Sequence, residues 1–147
     1  MMDKGELLSK VGLFSGLKKE DLDRLAEFCV ELRFKKGETL IKQGDLGVGV
    51  YIIIAGEVKI IKKTAGGVEL EVALHGPGDF FGEMAVLDDA PRSASVVAAV
   101  DTVCLFLSAW DFKARMKLHP EIALEILPVV VRRFRETNER LLALSHL

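Results

Sequence analysis

The chain has 147 residues, of which half are hydrophobic and 29% are charged, and its formal net charge is −2. A single domain of this length buries about 70% of its unfolded surface, and this composition argues against disorder. The small negative charge argues against a general attraction to nucleic acid. No signal peptide is recognisable, and no apolar segment approaches the ~20 residues of a membrane span, so we expect a cytoplasmic protein away from membranes.

Residues 1–29 are predicted to be helical. A short amphipathic segment at 3–11 precedes a turn, and a second helix follows in which Leu22 and Leu25 begin an apolar pattern at steps of three and four. The acidic start of that helix suits the positive end of its dipole.

Residues 30–108 follow the two-residue period of β-strands, with glycine-containing turns between them. The clearest strand segments are 30–34, 39–42, 50–54, 58–61, 69–74, 95–99 and 102–107. About eight short strands at this spacing predict a mainly β fold, an antiparallel β-roll or jelly roll with flanking helices.

Residues 109–147 are predicted to form C-terminal helices separated by His119-Pro120, which completes a single domain. The last helix is long, and Pro128 removes one of its backbone hydrogen bonds and should kink it. An apolar seam with heptad spacing follows it: Leu127, Val130, Phe134, Thr137, Leu141 and Leu144. The seam is suited to packing on the β-roll, to pairing with a second copy, or to both in turn; we favour a homodimer through residues 127–144.

The stretch 81–96 is organised to receive an anion. Residues 83–87 suit a single helical turn, stopped by the acidic pair and proline that follow. Its N-terminus presents free backbone N–H groups beside Gly82, where the missing side chain lets an anion approach.

A cation and a carboxylate accompany this turn. Arg92 can present a two-pronged cation, and Ser93 and Ala94 add a hydroxyl and another N–H, a set suited to a phosphate. Glu83 would repel a phosphate, but it fits a ligand that also offers hydroxyls, as a ribose does, so the set points to a nucleotide. The alternative is a plain β-turn-β connection in which Arg92 pairs with an adjacent acid, Asp88 or Asp89.

The run from Phe81 to Ser95 resembles the phosphate-binding cassette of cyclic-nucleotide-binding domains, as in the catabolite activator protein and the regulatory subunits of cyclic-AMP-dependent kinase. The family pattern is Phe-Gly-Glu, a short helix, then Arg-small-Ala-Ser/Thr, and it is unbroken here. The resemblance extends from Leu13-Phe14 to the last helix. It implies a non-catalytic regulatory domain for signal transduction whose last helix closes over a bound cyclic nucleotide.

The resemblance also assigns roles to individual residues. Arg92 is expected to pair with the cyclic phosphate, assisted by Ser93 and the N–H of Ala94, while Glu83 accepts a hydrogen bond from the ribose. The other residues implied to bind the ligand are Phe81, Gly82, Met84 and Ala85 in the cassette, Ile60, Val72 and Ala73 beside the purine, and Thr137 and Asn138 facing adenine. For the last two the alternative is that Thr137 tunes the apolar seam and Asn138 is solvated.

The ligand and the partners are less sharply indicated. In the kinase family that the cassette resembles, a threonine after the arginine accompanies cyclic GMP and an alanine accompanies cyclic AMP; Ser93, with a hydroxyl but no methyl, leaves the choice open. The Arg-Ser-Ala version of the cassette resembles cyclic AMP binders, so we expect cyclic AMP as the ligand, with cyclic GMP as the alternative. We expect no cofactor. The sequence does not indicate a downstream protein partner.

Three other functions compete with this interpretation. An enzyme is disfavoured because His75, His119 and His146 are scattered, and because neither a GxSxG motif nor a P-loop is present. A DNA-binding regulator of the catabolite activator type would continue into a helix-turn-helix, which the sequence given does not contain, and this argues against direct DNA binding. A degenerate domain that keeps the fold and binds no cyclic nucleotide is the third.

The two cysteines, Cys29 and Cys104, lie in apolar contexts without CxxC spacing. They are expected to be buried thiols in a reducing compartment, unpaired with each other.

Overall fold

The computed structural model describes residues 3–88 and 90–145 and confirms the predicted β-roll with flanking helices. The helices are α1 (Lys4–Ser9), α2 (Lys19–Ala26), α3 (Ala109–Leu118) and α4 (Glu121–Ser145), with short 3₁₀ helices at Gly12–Phe14 and Glu83–Val86. The strands are β1 (Val30–Phe34), β2 (Thr39–Ile41), β3 (Gly49–Ala55), β4 (Val58–Lys63), β5 (Glu69–His75), β6 (Phe80–Phe81), β7 (Ser95–Ala98) and β8 (Thr102–Ser108).

The strands form two antiparallel four-stranded sheets, in the orders β1-β8-β3-β6 and β2-β7-β4-β5. Antiparallel sheets bury one face and leave the other to solvent, which matches the alternation of apolar and polar residues in the sequence. β4 and β7 pair so that Ile60 lies opposite Val96, and the cassette lies in the chain just before β7.

Two clusters of buried side chains hold the fold together. The first joins the N-terminal helices, α3 and the start of α4 to the β1-β8-β3-β6 sheet, and the rings of Phe14 and Phe112 stack there at 5.4 Å. The second fills the space between the sheets, where Tyr51 stacks on Phe81 at 5.1 Å. The Phe81 contact fixes the residue directly before the cassette glycine.

Fully buried side chains of the long helix α4 are confined to its first part. Ile122, Ile126 and Val129 are buried, at steps of four and three along one face, and Pro128 lies within a helix that continues from Glu121 to Ser145. Most of the predicted seam is exposed, with only Val130 partly covered: Leu127, Phe134, Thr137, Leu141 and Leu144. The second half of α4 therefore presents an uncovered apolar stripe.

Two acidic side chains meet where α4 packs on α2. Asp21 is 2% exposed and accepts a hydrogen bond from Arg24 at 2.6 Å, while Glu125 Oε1 accepts from the backbone N–H of Lys18 at 3.3 Å. The other oxygen, Oε2, is buried and finds no donor among the described residues. Burial raises the pKa of Glu125, and Asp21 raises it further because a protonated Glu125 can donate a hydrogen bond to that neighbouring carboxylate.

Both cysteines are buried free thiols, as the sequence predicts, and burial raises the pKa of Cys29 and of Cys104 to about 12. Within the described residues, none of the helices combines the length and the apolarity needed to cross a membrane.

Candidate functional site

The cassette begins at a glycine whose backbone no other residue adopts easily. Gly82 has φ +81°, in the left-handed region, and the 3₁₀ helix Glu83–Val86 follows it directly. A Cβ at Gly82 would lie 2.6 Å from Arg92 Nη1 and 2.8 Å from the carbonyl oxygen of Gly49. Glycine is therefore required here twice, for its conformation and for the close approach of the arginine.

Arg92 is the central cation of the site. Its backbone N–H donates to the carbonyl of Asp45 at 2.7 Å, and its Nη2 donates to the carbonyl of Gly49 at 2.7 Å. Burial lowers the pKa of Arg92, while the charges of Tyr51 and Asp88 act in the opposite direction. A guanidinium has five N–H donors and stays protonated in proteins, so the Gly49 carbonyl satisfies only a small part of it.

Among the described residues, no carboxylate lies within ion-pair distance of Arg92. The alternative pairing with Asp88 is therefore not formed, and the pairing with Asp89 lies outside the described residues. A half-buried cation that meets only a neutral carbonyl among the described residues is suited to bind an anion as its counter-charge.

Arg92 borders a cavity of about 240 Å³ between the cassette and the β2-β7-β4-β5 sheet. Its lining combines an apolar wall with the polar end of the cassette: Ile41, Ile60, His75, Phe81, Gly82, Arg92, Ser93, Ala94 and Val96. Six of the residues singled out from the sequence thus share one cavity, although they come from three separate parts of the chain.

Glu83 is not part of this wall. Its Oε1 accepts a hydrogen bond from Arg133 Nη1 of α4 at 2.6 Å, and its Oε2 accepts from the backbone N–H of Leu13 at 3.1 Å. The Glu83 side chain is 14% exposed and that of Arg133 is 38% exposed, so the pair is partly shielded from solvent. The carboxylate that the sequence assigns to a ribose thus joins the cassette to both α4 and the N-terminal region.

The remaining predicted site residues lie outside the cavity. Ala85 is buried and Met84 is half exposed. On β5, Ala73 lies opposite Ile60 and is partly buried, whereas Val72 is exposed. Thr137 and Asn138 are exposed on α4. The roles of all these residues outside the cavity remain predictions for the ligand-bound protein.

Two residues of the site were missed in the sequence. The sequence motif gives His75 no role, but His75 lines the cavity. The sequence motif does not include Arg133 either, but Arg133 binds Glu83. Its position one helical turn before Thr137 places the two on the same face of α4, which is the signal that could have identified it.

Comparison with known proteins agrees with this geometry. The family model described as "Cyclic nucleotide-binding domain" matches residues 31–119. The chain is 38% identical over 133 residues to the cyclic AMP receptor protein of Thermus thermophilus, covering 90% of the chain and 62% of that relative. It is 38% identical over 106 residues to a cAMP-dependent protein kinase regulatory subunit of Aspergillus niger, covering 72% of the chain and 25% of that relative.

A solved structure extends the likeness to the whole fold. The N-terminal domain of a transcriptional regulator from Streptomyces coelicolor A3(2) superposes with a TM-score of 0.83 at 31% identity, covering 92% of this chain and 94% of that one.

The fold, the arginine-bearing cavity and the family match together define a nucleotide-binding domain. The chain belongs to the cyclic nucleotide-binding domain family. It spans less than two thirds of the length of these curated relatives.

Proposed function

We propose that this domain is a non-catalytic sensor of a cyclic nucleotide, with cyclic AMP as the preferred ligand. The observation that carries the proposal is Arg92, which borders a cavity beside Ser93 and Ala94 and has no carboxylate partner among the described residues. A cyclic phosphate carries one negative charge and hydrogen-bond acceptors on its exocyclic oxygens. It would pair with the guanidinium and accept from the Ser93 hydroxyl and the Ala94 N–H.

The cavity supports a division of the ligand into two parts. Its volume of about 240 Å³ is below the roughly 300–1,000 Å³ of sites that enclose a whole small molecule. The phosphate and ribose would fill it, and the base would extend past Ile60 along β5 toward Ala73 and Val72. In this arrangement Thr137 and Asn138 would reach the base only after α4 moves toward the sheet.

Glu83 would serve as the coupling residue between ligand and helix. A carboxylate offers about four acceptor positions, and the contacts with Arg133 and Leu13 use two of them. A modest rotation would let Glu83 accept from a ribose hydroxyl while it keeps Arg133. Movement of the cassette toward the ligand would then be transmitted to α4 through this ion pair.

The closing step needs contacts that exist only in the closed state. A ligand shifts a conformational equilibrium only by its differential affinity for the two states. The exposed second half of α4 supplies such contacts, because its side chains are uncovered in the present structure. Closure over the base would bury part of this surface.

We propose cyclic AMP rather than cyclic GMP as the ligand, because the relatives described above are named for cyclic AMP. Ser93 by itself does not decide between them. A competition titration in which cyclic GMP binds tenfold more tightly would reverse the assignment.

The output of the sensor is proposed to pass through α4. The exposed stripe at residues 127–144 suits pairing with a second copy in a homodimer, as heptad-spaced apolar residues do.

A second candidate is the ligand-binding half of a transcription regulator. It is favoured by the end-to-end likeness to the N-terminal domain of such a regulator. The chain described here should give no gel shift with DNA at moderate salt, with or without cyclic AMP. A cyclic-AMP-dependent shift would instead make direct DNA binding part of this domain's function.

Thermal unfolding with added nucleotide tests the sensor proposal. Cyclic AMP at 100 times its dissociation constant should stabilise the domain by ~2.7 kcal/mol, while 5′-AMP, which lacks the cyclic phosphate, should have a much smaller effect at the same concentration. No response to either nucleotide would favour the degenerate domain that binds no cyclic nucleotide. Equal stabilisation by both would contradict the proposed recognition of a cyclic phosphate.

A further inference from the structure

The wall of the Arg92 cavity contains an imidazole in an otherwise apolar surface. His75 is the last residue of β5 and pairs in register with Val58 of β4, which is fully buried. Residues that face each other across antiparallel strands lie on the same side of the sheet, so His75 belongs to the interior face. Its side chain is 36% exposed and lines the cavity beside Ile60 and Phe81.

Asp79 holds one edge of this imidazole. His75 Nδ1 lies 3.4 Å from Asp79 Oδ2, and the same oxygen accepts a hydrogen bond from the backbone N–H of Gly76 at 2.9 Å. The turn therefore fixes the carboxylate, and the carboxylate orients the ring. With Nδ1 directed at Asp79, Nε2 lies on the opposite edge of the ring and is the nitrogen left for a ligand.

Two charged side chains flank His75 among the described residues. The carboxylate of Asp79, from the turn between β5 and β6, lies beside the ring, and the guanidinium of Arg92, from the loop before β7, borders the same cavity. The neighbouring strands β4 and β7 contribute the apolar residues Ile60 and Val96 to the same wall. An anion bound to Arg92 would offset the guanidinium charge and bring a negative charge into the cavity that the imidazole lines.

We propose that His75 is a ligand-binding residue whose protonation is linked to occupancy of the Arg92 cavity, so that the domain takes up a proton when it binds a cyclic nucleotide. The inference rests on the function proposed above and adds a pH response to it. Histidine is suited to this role because its charge changes between pH 5 and 8. The affinity for the nucleotide therefore falls as the pH rises through that range.

The size of the expected effect follows from the short separation between two charges that share one small cavity. We take this separation as about 8 Å, the Debye length at physiological ionic strength, beyond which salt screens the attraction. Attraction between unit charges across this distance gives a change in affinity of about two- to thirtyfold, for dielectric constants between those of water and of a protein surface.

Calorimetric titration with cyclic AMP at pH 6.5, in two buffers of different ionisation enthalpy, measures the proton uptake directly. The wild-type domain should take up a fraction of a proton, and its dissociation constant should rise about two- to thirtyfold between pH 6 and pH 8. His75→Gln, which keeps a polar side chain that cannot be protonated, should bind without proton uptake and with a flatter pH dependence.

His119→Gln is the matched control. His119 lies at the end of α3, 3.5 Å from Glu121, away from the cavity, so this variant should keep the wild-type proton uptake. Proton uptake that persists in His75→Gln, or that disappears in His119→Gln, would overturn the assignment to His75 while leaving nucleotide binding intact. No binding of cyclic AMP or cyclic GMP by the wild-type domain would overturn the proposed function, and the role of His75 with it.

Discussion

The ion pair between Glu83 and Arg133 gives the sharpest stability prediction. Arg133→Met removes the guanidinium but keeps a long side chain, and methionine is also a good helix former. Among the described residues, Glu83 is then left with the backbone N–H of Leu13 as its donor. Hydrogen bonds to charged groups are worth about 1.5–3 kcal/mol, whereas fully exposed ion pairs are worth about 0–1 kcal/mol. Because Glu83 is 14% exposed and Arg133 is 38% exposed, we expect a loss of about 1–3 kcal/mol.

Urea unfolding measures this loss as a lower midpoint with an unchanged slope. Arg132→Met is the matched control: it removes the same charge from the adjacent, exposed position of α4, and it should change the stability by less than about 0.5 kcal/mol. The difference should also persist in high salt, because the pair is partly buried. Equal effects of the two substitutions would refute the argument that this pair attaches α4 to the cassette.

Three further predictions address the cassette, the acidic pair and the apolar stripe. Gly82→Ala should abolish cyclic AMP binding and should destabilise the domain in urea unfolding by more than the roughly 1–2 kcal/mol of a left-handed alanine. Gly67→Ala is the control, because Gly67 also has a positive φ but has open space around it, and it should show only that backbone cost. Equal losses of stability in the two variants would contradict the close approach of Arg92 and Gly49 at Gly82. Burial and Asp21 raise the pKa of Glu125 in the folded protein, so the folded state binds the carboxyl proton of Glu125 more tightly than the unfolded state does. The free energy of unfolding should therefore fall as the pH rises from about 4, the pKa of an unfolded glutamate, through the raised pKa of the folded state. Glu125→Gln should remove this fall and be more stable than wild type at pH 7, as followed by melting temperature against pH, whereas an unchanged pH profile would contradict the assignment. Phe134→Glu should shift a homodimer toward monomer in sedimentation experiments, since it places a charge in the exposed stripe; a monomeric wild type would contradict the dimer proposal.

Local patterns explain why much of the fold could be predicted from the sequence. The change from a three-to-four-residue period to a two-residue period near Val30 marks the passage from helix to sheet, and the glycine turns separate most strands. Both signals depend on neighbours in the chain. The strand Phe80–Phe81 was not identified, because two residues carry no period and this strand exists only through its pairing with Tyr51 and Ile52.

Long-range contacts explain what could not be predicted at the site. The motif identified Arg92 and its neighbours, but its partner Gly49 is 43 residues away and contributes only a backbone carbonyl. Glu83 and Arg133 are 50 residues apart and meet because α4 packs beside the N-terminal region. His75 enters the cavity wall through the register of β5 against β4, which a single sequence does not specify.

The central claim is that Arg92 binds the phosphate of a cyclic nucleotide, and a calorimetric dissociation constant for cyclic AMP tests it most directly. Arg92→Ala should bind about 30-fold to several-thousand-fold more weakly, because losing one partner of a buried charged pair costs roughly 2–5 kcal/mol. Arg33→Ala, at an exposed position of β1, is the control and should bind like wild type. Wild-type affinity in Arg92→Ala would contradict the account.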